Sequence, residues 1–365
     1  MKIAITSDWH IGNNKGTYLV SEKTNRELDL EKQIEFMLQE SKKKKIEWLL
    51  IAGDLFDKDS VDGYWFASAM DYLEKFLDNK IKILLIPGNH DWSSVKNPIT
   101  EIVKQMKHPG IFVIECIEAI ELGDCKCLCI PHIKKELLPD MNSSVKSALA
   151  ESEPDIVLGH FQPTGSVAGS EEEMFAGSSR IIESALFNNG IVFSGHIHKP
   201  QILGKNIHII GSPVRFNFGE RREEKRFIIY DTLDSSIESI ILDCQKMFRI
   251  SIDLVTKDDF SLKNIGEKYK NALLGIQIKT TKENKSKVNW QYITNQFEKK
   301  QGGKIISKKL EIIKKDVLKK SNKEDVSPKK VFQKICNKIV ENGKTRERII
   351  EMGLEIINEA GANEN

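Results

Sequence analysis

The chain has 365 residues, 40% of them apolar and 30% charged, enough for one sizeable core and one or two smaller modules. No apolar run approaches the roughly 18 residues that a membrane span needs, which excludes a spanning segment from the reading. A net charge of +2 conceals an asymmetry, since residues 1–244 hold 28 Lys+Arg against 37 Asp+Glu and residues 245–365 hold 27 against 16. Such a basic region marks either a polyanion-binding module or a solvated lysine-rich surface.

The opening MKIAITS is a short strand without the apolar h-region and cleavage site of a signal peptide, so a cytoplasmic location is expected. In LDLEKQIEFMLQES, Leu30, Ile34 and Met37 recur at helical spacing, and KKKK at 42–45 suits the last turn, where the helix dipole favours cations. EWLLIAG and KILLIPG read as strands on either side of a second helix, GYWFASAMDYLEKFL. The apolar face of that helix is expected in the core, with a homodimer surface as its alternative. KCLCIP, DIVLGH, GIVFSGH, HIIGSP and RFIIYD follow as strands. Alternation of this kind predicts a layered α/β core over residues 1–244.

In DCKCLCI, Cys125, Cys127 and Cys129 alternate onto one strand face, expected as reduced, half-buried small apolar residues; a soft-metal or redox site is the alternative. Cys116, Cys244 and Cys336 lie far apart and form no disulfide framework.

From 245 the pattern changes. FRISIDL and GIQIKTT read as strands, and NWQYITNQFEKK and KIISKKLEIIKK as a Lys-rich helical run, which predicts a small α+β module over 245–320. Over 321–365, the linker KKSNKEDVSP leads to two amphipathic stripes, Phe332, Ile335, Cys336, Ile339 and Val340, then Ile349, Ile350, Leu354 and Ile357. Two short amphipathic helices make no core alone, so a helix pair that packs on the rest of the chain or on a partner is expected.

The chemistry gathers at strand ends. FSGHIHKP places His196 and His198 two positions apart, and period-two geometry lets both imidazoles leave a strand on one side. SDWH supplies Asp8 and His10, AGDLFD supplies Asp54 and Asp57, PGNHD supplies Asn89, His90 and Asp91, and LGHF supplies His160. Loops beyond the carboxyl ends of strands are where open α/β sheets bind ligands. Asp8, His10, Asp54, Asn89, His160, His196 and His198 form a mixed oxygen and nitrogen set suited to Mn, Zn or Fe. Seven ligands are too many for one ion and fit two, if a carboxylate bridges them. Glycines beside Asp54, Asn89, His160 and His196 permit tight turns and close approach.

D-x-H, GD-x-x-D, GNHD, GH and GH-x-H, in this order and each after a strand, resemble the calcineurin-like metallophosphoesterase superfamily over about residues 1–230. GDLFD, GSPVRFNFGE followed by KRFIIYD, and the order of core, small module and terminal helices resemble, within it, the SbcD-type nucleases of double-strand-break repair. The resemblance implies a metallophosphoesterase core of two packed sheets flanked by helices, an α+β capping module that grips DNA, and a C-terminal helix pair. It implies two divalent ions, expected to be Mn, one held by Asp8, His10, Asp54 and His198, the other by Asp54, Asn89, His160 and His196. Asp54 would bridge them, and a water acidified by both would attack the phosphorus in line. His90 would stabilise the phosphate and help the leaving oxygen depart, oriented by Asp57. The implied function is a DNA exonuclease or endonuclease in DNA repair and recombination, near the nucleoid. Implied partners are an SbcC-type ABC ATPase with a coiled coil, docked by the terminal helices, and a second copy of the chain.

Other residues are read more plainly. His108 and His208 are expected as surface or core histidines, and His132 as a structural residue, with a place in the substrate groove as its alternative. Arg215, Arg221 and Arg222, with Lys225 and Arg226, are candidates for DNA phosphates or for a solvated loop. TGSVAGSEEEMFAGSSR reads as a flap at the site entrance. The competing function is another phosphoesterase on the same core, a cyclic-nucleotide phosphodiesterase or a protein phosphatase. GDLFDKD and GNHD count against the phosphatase, whose family pattern is GDxxDRG and GNHE. A non-catalytic scaffold would have no need of the full set of site residues.

Overall fold

The computed structural model describes residues 1–92, 97–167, 180–188, 190–254 and 267–313. The anticipated linker and terminal helix pair, and most of the anticipated flap, lie outside the described residues. Two compact units are separated: Met1–Ile250, Leu262–Gln277 and Trp290–Lys309 form the first, and Ser251–Ser261, Ile278–Asn289 and Leu310–Asn365 the second. Among the described residues, no helix is long and apolar enough to cross a membrane.

The first unit is built on two six-stranded sheets. One runs Ser236–Ile241, Arg226–Asp231, Lys2–Thr6, Trp48–Ala52, Lys82–Ile86 and Ile111–Val113, parallel from Lys2–Thr6 to Ile111–Val113 and antiparallel where Arg226–Asp231 joins. The other runs Gln201–Leu203, Ile207–Ile209, Ile191–Gly195, Ile156–His160, Cys125–Ile130 and Glu118–Leu122, with a parallel centre and antiparallel edges. All eight strands expected in the core are present.

Alternation along these strands divides the apolar residues into layers. Ile3, Ile5, Leu50, Leu84 and Ile86 of the first sheet meet Cys127, Cys129, Ile156, Leu158 and Phe193 of the second in a shared core. Cys125, Cys127 and Cys129 are therefore fully buried between sheets, more deeply than the half-burial expected, and are free thiols. The first sheet's other face, with Leu49, Ile51, Ile83 and Leu85, packs against helices α1 (Asn25–Lys44) and α2 (Gly63–Asp78) through Leu30, Ile34, Met37, Leu73 and Phe76. Helix α2 thus places its main apolar face in the core. Helix α3 (Pro98–Met106) adds Ile99 and Ile102 to that layer, and helix α4 (Met141–Ser152) covers the second sheet through Met141 and Val145. Helix α1 begins with a capping box between Thr24 and Glu27 and ends at Lys45 in the left-handed conformation, with Lys42, Lys43 and Lys44 in its last turn.

Met247–Asp253, Leu273–Thr280 and Lys304–Ile312 form a three-stranded sheet. The helical reading of KIISKKLEIIKK is corrected: Lys304–Ile312 is a strand, and helix survives only at Trp290–Thr294 and an adjoining π turn, Asn295–Lys299. Gly302, at φ +66°, ends the helical turn, and a Cβ on Gly303 would lie 2.8 Å from Leu274, so two glycines steer the chain alongside its neighbour. The β-branched residues that follow then favour extended backbone.

Candidate metal centre

Five strands end at one place: Lys2–Thr6, Trp48–Ala52, Lys82–Ile86, Ile156–His160 and Ile191–Gly195. Their loops are zipped together by main-chain bonds. Asp8 N donates to Gly53 O at 3.0 Å, His10 N to Asp54 O at 3.0 Å, Ile11 N to Leu55 O at 2.9 Å and Asp57 N to Ile11 O at 3.1 Å. The backbone is strained here, because Asp8, His10, Asp54 and His196 have φ of +53°, +45°, +50° and +82°. Non-glycine residues hold such angles at a cost of order 1–3 kcal/mol each, and persist when the surroundings over-determine them.

Two glycines are set by steric need. A Cβ on Gly53, whose φ is +86°, would lie 2.2 Å from His160 Nδ1, and one on Gly88 would lie 2.1 Å from Asp54 Oδ1. The loop glycines anticipated beside the ligand residues therefore serve close approach.

All seven candidate ligands converge. His10 Nε2 lies 3.0 Å from His198 Nε2 and 3.6 Å from Asp54 Oδ2. On the other side, Asn89 Oδ1 lies 3.0 Å from His160 Nε2 and 2.8 Å from His196 Nδ1, and Asp54 Oδ2 is 3.4 Å from His160 Nε2. Asp54 touches both sets. Asp8, His10 and His198, and separately Asp8, Asp54 and His160, present ligand atoms close enough to share a cation. Asp8 accepts from His196 N through Oδ1, and Asp54 accepts from His90 N through Oδ1.

Hydrogen bonding fixes the charge logic. His160 Nδ1 donates to Ala52 O at 2.8 Å, so its Nε2 faces the oxygens of Asn89 and Asp54. A positive charge, proton or metal ion, must lie between that nitrogen and those oxygens. Without a metal, burial opposes a charged His160, yet the Asp54 carboxylate raises its pKa to about 9. Burial also resists charge on Asp54, but His160 and His90 hold it well below the usual carboxylate range. Burial drives His10 far below the usual imidazole range and His196 down to about 3, which keeps both neutral, the form that ligates. Asp8 Oδ2 and His10 Nδ1 are buried without a hydrogen-bond partner among the described residues. The orphaned Asp8 oxygen and the mixed donor set fit a pair of divalent cations.

His90 lies at the rim of this cluster, its ring edge-on to His10 at 4.7 Å. Its Nδ1 donates to the main-chain oxygen of Asp57 at 2.7 Å. The anticipated pairing of Asp57 with His90 thus runs through a carbonyl; the Asp57 carboxylate accepts from Asn13 Nδ2 at 2.6 Å and stands 3.6 Å from His10 Nδ1. Arg26 holds Asn13 from behind and donates to Phe216 O.

A cleft of about 470 Å³ opens over the centre, bordered by Lys15, Lys58, Trp92, His132 and Asn217 as well as His90. His132, read as structural, lines this cleft, and burial lowers its pKa to about 4. His208 is buried and His108 exposed. Of the arginines anticipated for DNA, Arg222 is exposed and Arg221 donates to Phe218 O. Arg215 is committed inward, to the main-chain oxygens of Cys244, Gln245 and Glu223. Lys225 is fully buried, which removes it from any phosphate-binding surface.

Two contributors were given no specific task by the sequence: Asp91, named there only among the strand-end residues, and Glu220. Asp91 accepts from Leu55 N, Phe56 N and Gly88 N at 3.3, 3.0 and 2.8 Å, tying the loop that carries Asp54 to the one that carries Asn89. Glu220, fully buried, accepts from His198 Nδ1 at 3.3 Å. Both lie in stretches already quoted, GNHD and GSPVRFNFGE, where only their side-chain partners were hidden.

The family profile described as Calcineurin-like phosphoesterase matches residues 1–200. The SbcD component of the nuclease SbcCD of Escherichia coli K12 is 20% identical over 274 residues, covering 66% of this chain and 67% of that protein. A probable cyclic nucleotide phosphodiesterase of Fibrobacter succinogenes is 22% identical over 220 residues, covering 58% of this chain and 79% of its own length. Among solved structures, TT1561 of Thermus thermophilus is similar with a TM-score of 0.40 and 16% identity, over 66% of this chain and 98% of that one.

Proposed function

The chain belongs to the calcineurin-like phosphoesterase family, and from that premise we propose that it is a Mn-dependent DNA nuclease that processes ends in double-strand-break repair. The single observation that carries the hydrolytic reading is the convergence of Asp8, His10, Asp54, Asn89, His160, His196 and His198 around one shared carboxylate. One cation would be held by Asp8, His10, Asp54 and His198, and a second by Asp54, Asn89, His160 and His196. When bound, such ions draw charge from a phosphate and acidify water enough for attack at neutral pH.

The protein's own groups do the rest. His90 stands at the cleft, its Nδ1–H fixed by the Asp57 carbonyl, so Nε2 is the nitrogen that exchanges a proton with the leaving oxygen. Lys15 and Lys58 supply positive charge at the cleft wall for a polyanion. Main-chain bonds between the SDWH and GDLFD loops hold the geometry without rearrangement.

The choice of DNA as substrate is supported by the likeness to the SbcD component of SbcCD and by the basic residues 245–365. Action with an SbcC-type ATPase belongs to the same proposal. A cyclic-nucleotide phosphodiesterase is the second reading, favoured by the Fibrobacter relative's description. The test is degradation of end-labelled duplex and single-stranded DNA with Mn, beside His90→Gln, with and without the ATPase. Cleavage that needs Mn and His90 supports the nuclease. Hydrolysis of a cyclic nucleotide with DNA left intact would replace it by the second reading.

A further inference from the structure

GSPVRFNFGE, residues 211–220, lies beyond the five ligand loops, yet it closes on one of the ligand residues. We propose that Glu220, clamped by Lys225, is a positioning residue that fixes the tautomer and direction of His198 for cation binding. This inference rests on the two-cation reading of the centre and names a device that serves it.

The Glu220 carboxylate is fully buried and faces four nitrogens. Oε1 faces His198 Nδ1 at 3.3 Å and accepts from Asn217 Nδ2 at 3.1 Å. Oε2 accepts from Phe216 N at 3.2 Å and forms an ion pair with Lys225 Nζ at 2.8 Å. With Lys225 and a main-chain amide bound to it, the carboxylate is ionised and can only accept, so His198 Nδ1 carries the hydrogen. The lone pair then belongs to Nε2, the atom 3.0 Å from His10 Nε2 inside the ligand cluster. A carboxylate behind a ligand histidine also raises the basicity of the nitrogen that ligates.

Lys225 grips the same histidine from its other end. Nζ donates to His198 O at 2.9 Å, to Ser212 Oγ at 2.9 Å and to Glu223 Oε2 at 2.8 Å. Ser212 N donates to His198 O at 3.2 Å. The turn that makes this possible requires Gly211, whose φ is +81° and whose Cβ would lie 2.7 Å from His198 O. One buried cation therefore holds both the carbonyl of His198 and the carboxylate that aims its ring.

Three readouts on the full chain test the proposal. Nitrogen NMR of histidine-labelled, chelator-treated protein should show His198 with hydrogen on Nδ1, and the opposite tautomer would overturn it. Calorimetric titration with Mn should show one of two binding events weakened about 10–100-fold in Glu220→Gln, with the other unchanged. Glu220→Asp should recover part of the loss, which a change in bulk stability would not mimic. Should Glu220→Gln fail to fold, Glu220→Leu/Lys225→Met removes both charges together and should fold while showing the same weakened event. Wild-type Mn binding in a variant whose unfolding temperature has fallen would mean that Glu220 merely neutralises Lys225. The parent reading fails differently: if His198→Gln leaves both Mn binding events intact, His198 is no ligand and the two-cation assignment itself is wrong.

Discussion

Gly53→Ala is the sharpest probe of the centre, since it adds one methyl and removes no functional group. The new Cβ would lie 2.2 Å from His160 Nδ1, 2.6 Å from its Cγ and 2.9 Å from Gly88 Cα. Restoring a carbon contact of about 3.5 Å requires the imidazole to move by about 1 Å. That shift pulls Nδ1 from Ala52 O, now 2.8 Å away, and Nε2 from Asn89 and Asp54. Holding alanine at φ +86° costs about 1–2 kcal/mol, and the lost hydrogen bond about 1 kcal/mol more. A total near 3 kcal/mol lowers the unfolding temperature by about 5–10 °C and leaves the protein folded at 25 °C. A misplacement of about 1 Å at a site residue lowers turnover on the order of 100-fold. The assay is Mn-dependent hydrolysis of bis-p-nitrophenyl phosphate at 25 °C, beside a circular dichroism melt. Turnover within threefold of wild type, in a protein with the expected melt, would show that His160 need not stand where the structure places it.

His90→Gln should lower kcat by about 10²–10⁴-fold with Mn affinity retained; Asp57→Asn should lower it less, because the carbonyl that holds His90 survives, and equal losses would move the orienting role to the carboxylate. Chelation by EDTA should abolish hydrolysis and Mn restore it; Mn at about 100 times its Kd should stabilise the fold by about 2.7 kcal/mol, so an unshifted melt would contradict cation binding. Lys225→Met leaves the Glu220 carboxylate buried without its cation and should destabilise by about 3–5 kcal/mol in urea titration, against a much smaller loss in the paired Glu220→Leu/Lys225→Met variant. Burial pushes the Cys125 thiol up to about 12 and Cys244 up to about 11, so iodoacetamide at pH 7.5 should mark exposed Cys116 in the native protein and reach Cys125, Cys127, Cys129 and Cys244 only after unfolding, as read by mass spectrometry.

The candidate ligand residues were legible because each follows a strand whose apolar run is unmistakable. The glycines were legible for the same reason, as interruptions beside charged residues. Glu220 and the task of Asp91 were not, since nothing along the chain joins the acid after FNFG to His198 or the acid after GNH to the Phe56 amide. Lys225 misled in the same way: a lysine among Arg221, Arg222 and Arg226 looks exposed, and only tertiary burial makes it an anchor. Asp57 was found by residue type, while the atom that meets His90 is a carbonyl that every residue possesses. Lys304–Ile312 misled because its isoleucines also fit helical spacing; pairing decided between the two periods.

The strand Arg226–Asp231 lies inside the first sheet, between Ser236–Ile241 and Lys2–Thr6, with Ile5 opposite Ile228 and Ala4 opposite Ile229. The Met1 amino group and carbonyl are fastened to Thr232 as well. A nascent chain that has reached Pro200 therefore already carries every ligand of the proposed centre, yet lacks the strand that closes the sheet bearing Asp8 and His10. Such distant pairing makes closure a late and slow event in folding. A ribosome that stalls before Arg226 would hold a chain with exposed sheet edge and unassembled imidazoles, prone to aggregate and to bind stray transition metals.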